Sequence, residues 1–131
     1  MINCNESNIV GKTVLLVEDD EVSAELLGVF LADTGINLLV ATNKEEAYHL
    51  LTENQSIDLV FTDMVLPNGS GMDILQKVKQ IGEDIPVIAQ TGLGSSSDRE
   101  NALKMGFKEY LLKPIHKKQL IDTLTSYLSA S

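Results

Sequence analysis

A single cysteine, Cys4, leaves the chain with no partner for a disulfide and no basis for a thiolate zinc site. Cations are also scarce: 10 Lys+Arg stand against 19 Asp+Glu, a formal net charge of -9. A surface built for nucleic acid or anionic lipid needs clustered positive charge, so both partners are excluded as an expectation. No apolar run approaches the ~18 residues needed to span a bilayer. The opening Met1-Ile2-Asn3-Cys4-Asn5-Glu6-Ser7-Asn8 is too polar for a secretory signal. Repeats, low-complexity tracts and dividing linkers are missing too. The two histidines, His49 and His116, fall in helical stretches, and nothing pairs them as ligands. These absences point to one soluble, cytoplasmic domain.

What the chain does have is rhythm. After a polar leader over 1–10, short apolar runs alternate with longer amphipathic stretches. Val14–Val17, Leu38–Ala41, Leu59–Phe61, Val87–Ala89 and Tyr110–Leu112 show little polar alternation, as strands buried on both faces do. Between them, helical stripes run through Val22, Leu26, Val29 and Phe30; Ala47, Leu50 and Leu51; Ile74, Leu75, Val78 and Ile81; Ala102, Leu103 and Met105; and Leu120, Ile121, Leu124 and Leu128. Breakers separate the units at Thr34-Gly35, Pro67-Asn68-Gly69, Gly82, Gly92-Leu93-Gly94 and Gly106. Asn43 reads as a helix N-cap with Glu46 at the capping-box position. The alternation predicts an α/β fold, a doubly wound five-stranded parallel sheet with five flanking helices, taken in the 2-1-3-4-5 order common to such sheets.

Open parallel sheets bind ligands beyond the carboxyl ends of their strands. The first strand ends in Glu18-Asp19-Asp20, the third in Asp63, the fourth in Thr91 and the fifth in Lys113. Two bare carboxylates ~4 Å apart repel by about 4 kcal/mol at an effective dielectric near 20. A cluster of three therefore needs a proton, shifted pKa values or a cation. Hard oxygen donors select Mg²⁺, and Lys113 adds a second positive charge. A carboxylate that accepts a phosphoryl group needs this neutralisation, because nucleophile and donor are both anionic.

Val14-Leu15-Leu16-Val17-Glu18-Asp19-Asp20, Asp63-Met64-Val65-Leu66-Pro67 followed by Gly71, Pro86-Val87-Ile88-Ala89-Gln90-Thr91-Gly92 and Tyr110-Leu111-Leu112-Lys113-Pro114 occur in this order. Over residues 11–129 the chain resembles the response-regulator receiver domains of two-component signalling, which leaves 130–131 as a tail. The resemblance implies that Asp63 is the phosphoacceptor and a metal ligand. It implies that Asp19 binds Mg²⁺ directly, with Glu18 assisting through water, that the main-chain carbonyl of Val65 completes the protein ligands, and that Asp20 is a neighbour. It makes Thr91 the hydroxyl that meets the phosphoryl group, Lys113 its cationic partner, and Tyr110 the aromatic that fills the space Thr91 vacates. It also implies a cis bond between Lys113 and Pro114.

The partner implied is a sensor histidine kinase or a histidine phosphotransfer protein. The response is a change in the surface of the fourth helix, fifth strand and fifth helix. Such a chain is a switch that catalyses its own phosphorylation and dephosphorylation, not a turnover enzyme, and is a monomer or weak dimer. Apolar Val65 and Leu93 at the flanking positions imply slow loss of phosphate. A pseudo-receiver serving as a constitutive scaffold is the alternative, although a scaffold has no need of this whole residue set. A haloacid-dehalogenase-type phosphatase wants a second acid two residues after its nucleophile, where this chain has Val65. The sequence fits a stand-alone regulator, a piece of a hybrid kinase or a piece of a longer regulator equally.

Overall fold

The structure is a computed structural model that describes residues 9–53, 56–81, 84–92 and 96–128. Cys4, Gly82, Leu93, Gly94 and the 130–131 tail lie outside the described residues. The main-sheet strands are β1 (Thr13–Val17), β2 (Asn37–Ala41), β3 (Leu59–Asp63), β4 (Val87–Thr91) and β5 (Glu109–Leu112). The helices are α1 (Glu21–Leu31), α2 (Lys44–Glu53), α3 (Gly71–Gln80), α4 (Ser96–Met105) and α5 (Lys117–Leu128). All main-sheet pairs are parallel and the order is β2-β1-β3-β4-β5, as expected from the sequence. A two-residue antiparallel ladder, Val65–Leu66 against Gly69–Ser70, folds the chain back at Pro67-Asn68.

Two apolar layers sandwich the sheet. Leu51 of α2, Ile74 and Val78 of α3 and Ala102 of α4 pack on one face with Val60 and Ala89. Leu27 and Leu31 of α1 and Leu120 and Leu124 of α5 cover the other, with Leu16, Phe61 and Ile88. The packed unit takes in Ile9, which is fully buried in the second layer although the sequence places it in the leader. Burying such a side chain contributes about 2 kcal/mol, and the Gly11 amide's hydrogen bond to the Gly35 carbonyl (2.9 Å) holds the segment in place.

Local signals set the helix starts. The Asn43 side chain accepts from the Glu46 amide at 2.8 Å, as expected of an N-cap. The Glu46 carboxylate does not return to Asn43. It binds the Thr42 amide (2.6 Å) and hydroxyl (2.7 Å) instead, because Thr42 offers two donors at once. A full capping box does form at α3, between Ser70 and Asp73.

The first helix departs from its predicted stripe. Val22 is 73% exposed and Val29 68% exposed, while Leu27 and Leu31 are buried. At ~3.6 residues per turn these two sets lie on roughly opposite sides of the helix. Leu26 is exposed with the valines. Both sides of α1 are apolar, and the sheet takes the Leu27–Leu31 side.

Candidate functional site

Strand side chains alternate between faces, and the alternation sorts the carboxyl-end residues into two groups. Glu18, Asp63 and Gln90 follow Leu16, Phe61 and Ile88 onto the face covered by α1 and α5. Thr91 follows Val87 and Ala89 onto the opposite face, where Tyr110 also packs. The parallel register sets Asp63 opposite Gln90 and Thr91 opposite Leu112. On the first face Lys113 Nζ donates to Asp63 Oδ2 at 2.7 Å and contacts Glu18 Oε1 at 3.0 Å. Gln90 Nε2 donates to the same Glu18 oxygen at 3.2 Å. The Val65 amide donates to Asp63 Oδ1 at 3.2 Å, and the Asp20 amide to Glu18 Oε2 at 3.2 Å. Glu18, Asp19 and Asp63 each bring an oxygen within 4.8 Å of the others. Three hard donors at that spacing form a set that can hold a metal ion.

Residues 14–125 match the family model of the response regulator receiver domain. The chain belongs to this family. It is 35% identical over 119 residues to an uncharacterized 14.6 kDa protein of Leptolyngbya boryana, covering 89% of this chain and 90% of that one. It is 36% identical over 118 residues to the transcriptional regulatory protein CpxR of Escherichia coli, covering 90% of this chain but 50% of CpxR. The chain thus spans about half the length of that curated relative. A solved receiver-domain protein from Clostridium thermocellum superposes with a TM-score of 0.82 at 34% identity, over 89% of this chain and 94% of that one.

Electrostatics make this receiver site a costly one to fold. Glu18 is only 1% exposed. Burial pushes its carboxyl above the ordinary 4.5, and the nearby Asp63 charge adds to the rise, against the lowering by Lys113 and the Asp20 amide. A raised pKa means that the fold holds this proton more tightly than the unfolded chain does. Its stabilising effect is complete below pH 4.5 and is lost as pH rises through the folded value. Glu18→Gln is therefore expected to raise metal-free stability at pH 7 by about 0.5–2 kcal/mol. The gain should vanish at pH 4. Urea unfolding at both pH values checks this, and a loss of stability at pH 7 would show that ionised Glu18 supports the fold.

The receiver residues expected from the sequence divide by environment. Asp19 is exposed and Asp63 buried, so the cluster has one open side. Asp20 is the N-cap of α1, accepting from the Ser23 amide (3.2 Å) and hydroxyl (2.6 Å), which keeps its carboxylate out of the cluster. The Val65 side chain is 68% exposed beside Asp63. The bond between Lys113 and Pro114 is cis. Tyr110 is only 9% exposed and belongs to the apolar layer with Val87, Ala89 and Ala102.

Sequence reasoning passed over Gln90 as a site residue. The signal was present: a carboxamide inside Val87-Ile88-Ala89-Gln90, a strand buried on both faces, requires a hydrogen-bond partner. Thr62 is the same kind of residue, fully buried, with its hydroxyl donating to the Asp63 carbonyl at 2.9 Å.

Proposed function

We propose that the chain is a phosphoacceptor switch in which Asp63 takes a phosphoryl group from a phosphohistidine on a sensor kinase or phosphotransfer protein. The observation that carries this reading is the buried Asp63 carboxylate with Lys113 Nζ at 2.7 Å and two further acids within 4.8 Å. Asp63 Oδ forms the new bond to phosphorus as the phosphorus–nitrogen bond breaks, and the electron pair leaves with the donor imidazole, which then takes a proton. Lys113 Nζ, 2.7 Å from Asp63 Oδ2, would pair with a phosphoryl oxygen, and the Val65 amide donates to the other oxygen of Asp63. Glu18, Asp19, Asp63 and the Val65 carbonyl would hold Mg²⁺, whose chemistry there is charge neutralisation on the phosphoryl oxygens.

An apolar groove of ≈ 270 Å³ lined by Leu26, Leu27, Pro114 and Ile115 opens beside Lys113 and Gln90. Of the exposed Val22–Leu26–Val29 side of α1, Leu26 lines this groove. Continuity with the acceptor site supports this face as the seat of the phosphohistidine-bearing partner. On the far side Arg99 of α4 pairs with Glu109 of β5 at 2.6 Å, and the Tyr127 hydroxyl of α5 reaches the same carboxylate at 3.3 Å. Leu112 and Met105 are exposed there. A surface that joins three elements in this way supports the reading of α4, β5 and α5 as the output face, biased by Thr91 and Tyr110.

Intact mass after incubation with Mg²⁺ and acetyl phosphate is the test. One phosphoryl group per chain, with no turnover beyond it, is expected; Asp63→Asn should carry none. Thr91→Ala should accept the group yet leave α4 and β5 amide shifts unmoved. After donor removal the added mass should persist, because the exposed Val65 side chain cannot orient a water. An unmodified wild-type chain, beside a positive control, would replace the switch with a constitutive scaffold.

A further inference from the structure

Gln90 has two functions at this site that no part of the proposed chemistry uses. Its side chain is 1% exposed, and its amide donates to Glu18 Oε1 at 3.2 Å across the intervening strand β3. Its main-chain carbonyl accepts from the Met64 amide at 2.9 Å, directly after the acceptor Asp63. It also lines the groove beside Lys113. One residue therefore fixes a carboxylate of the acidic cluster with its side chain and the turn that carries Val65 with its backbone.

We infer that Gln90 is a positioning residue for metal binding, holding Glu18 in the orientation that the ion requires. Glu18 Oε1 is shared between Lys113 and Gln90, while Oε2 is held by the Asp20 amide. Lys113 is a flexible cation that a phosphoryl group can draw away toward Asp63. The amide of Gln90 is neutral and held within a strand, so it keeps Oε1 in place whichever partner Lys113 has. Among the described residues no buried side-chain nitrogen or oxygen lacks a partner, so this hydrogen bond is part of a complete network. Outer partners that orient metal-binding carboxylates characteristically alter affinity by about 10–100-fold when removed.

This inference rests on Glu18 being part of a metal site, and its test uses the metal alone. Mn²⁺ binding is measured by the electron paramagnetic resonance of the free ion, with Mg²⁺ competing, on the metal-free full chain. Gln90→Met keeps length and removes the donor; its Kd for both ions is expected to rise about tenfold. In the Glu18→Gln background the same substitution should change Kd by less than about twofold, because Gln90 acts through Glu18. Additive losses in the two backgrounds would overturn the inference, as would an unchanged Kd in the single variant. Circular dichroism and a metal-free melt confirm the fold, and Gln90→Asn, with its amide drawn back, reports the same loss if Gln90→Met does not fold. A wild-type chain that binds no Mn²⁺ overturns the metal site itself, whereas binding without phosphorylation fails only the acceptor reading.

Discussion

Replacing Lys113 with methionine is expected to lower metal-free stability at neutral pH by about 3 kcal/mol, the low end for breaking a buried pair. The low end applies because the Lys113 side chain is 27% exposed. Without it, Glu18 and Asp63 face each other with no cation between them. Burial pulls the Lys113 pKa down, but its hydrogen bonds to Asp63 and Glu18 outweigh that and leave it above the ordinary 10.5. Its stabilising effect is thus complete below pH 10.5 and is lost as pH rises through the folded value. The deficit of the variant should shrink as the medium is acidified and Glu18 takes up its proton, and Mg²⁺ should recover part of it by mass action. Phosphorylation from acetyl phosphate should slow roughly 10²-fold, the scale for losing one charge-stabilising donor. Urea unfolding from pH 4 to 8 and single-turnover mass kinetics measure both. A variant as stable as wild type at pH 7 would mean that the two acids are solvated and that Lys113 does not hold them together.

The strands were legible in the sequence because burial on both faces leaves unbroken apolar runs, and the strand order then brought Glu18, Asp63 and Lys113 to one edge. Strand ends were less legible. Asp63, Gln90 and Thr91 lie within the strands, beyond the apolar runs Leu59–Phe61 and Val87–Ala89 that mark those strands in the sequence. They stay in register because each is needed inside: Asp63 and Gln90 for the acidic network, Thr91 against the opposite layer. The buried side of α1 could not be read from periodicity. Its segment carries apolar residues on both sides, and only contact with the sheet decides between Leu27–Leu31 and Val22–Leu26–Val29. Of the side left outside, Leu26 lines the groove.

Asp20 shows the opposite case, where two signals share one run. Glu18-Asp19-Asp20 reads as three equivalent acids, yet the chain turns into α1 within that run. Asp20 is consumed as its cap, and its pKa is held below the ordinary carboxylate value by the hydrogen bonds from Ser23. The cost of a buried acid therefore falls on Glu18 alone among the three, a burden expected of a site retained for function and not for stability.

Gly71→Ala is expected to damage both the fold and the setting of the Asp63 carboxylate. A Cβ at Gly71 would lie 2.9 Å from Met64 Sδ, 3.0 Å from the Asp63 carbonyl oxygen and 3.2 Å from Met64 Cα. Two of these three atoms are backbone, so no rotamer change relieves the contact. The Gly71 amide also donates to the Met64 carbonyl at 3.0 Å, which ties the start of α3 to the same two residues. Overpacking of this kind costs about 2 kcal/mol, and the shift falls on the peptide that aims Asp63 at Lys113. Phosphorylation should slow about tenfold, since small misplacements of reacting groups carry costs of up to about 10²-fold. Gly28→Ala is the control. A Cβ there finds only Leu38 Cδ2, at 3.9 Å, inside α1, and should add about 0.4–1 kcal/mol by restricting the unfolded chain. Opposite signs for the two alanines in the same unfolding experiment would establish that Gly71 is required for space. Equal gains would show that the turn after Asp63 yields freely and that its geometry does not set the Asp63 carboxylate.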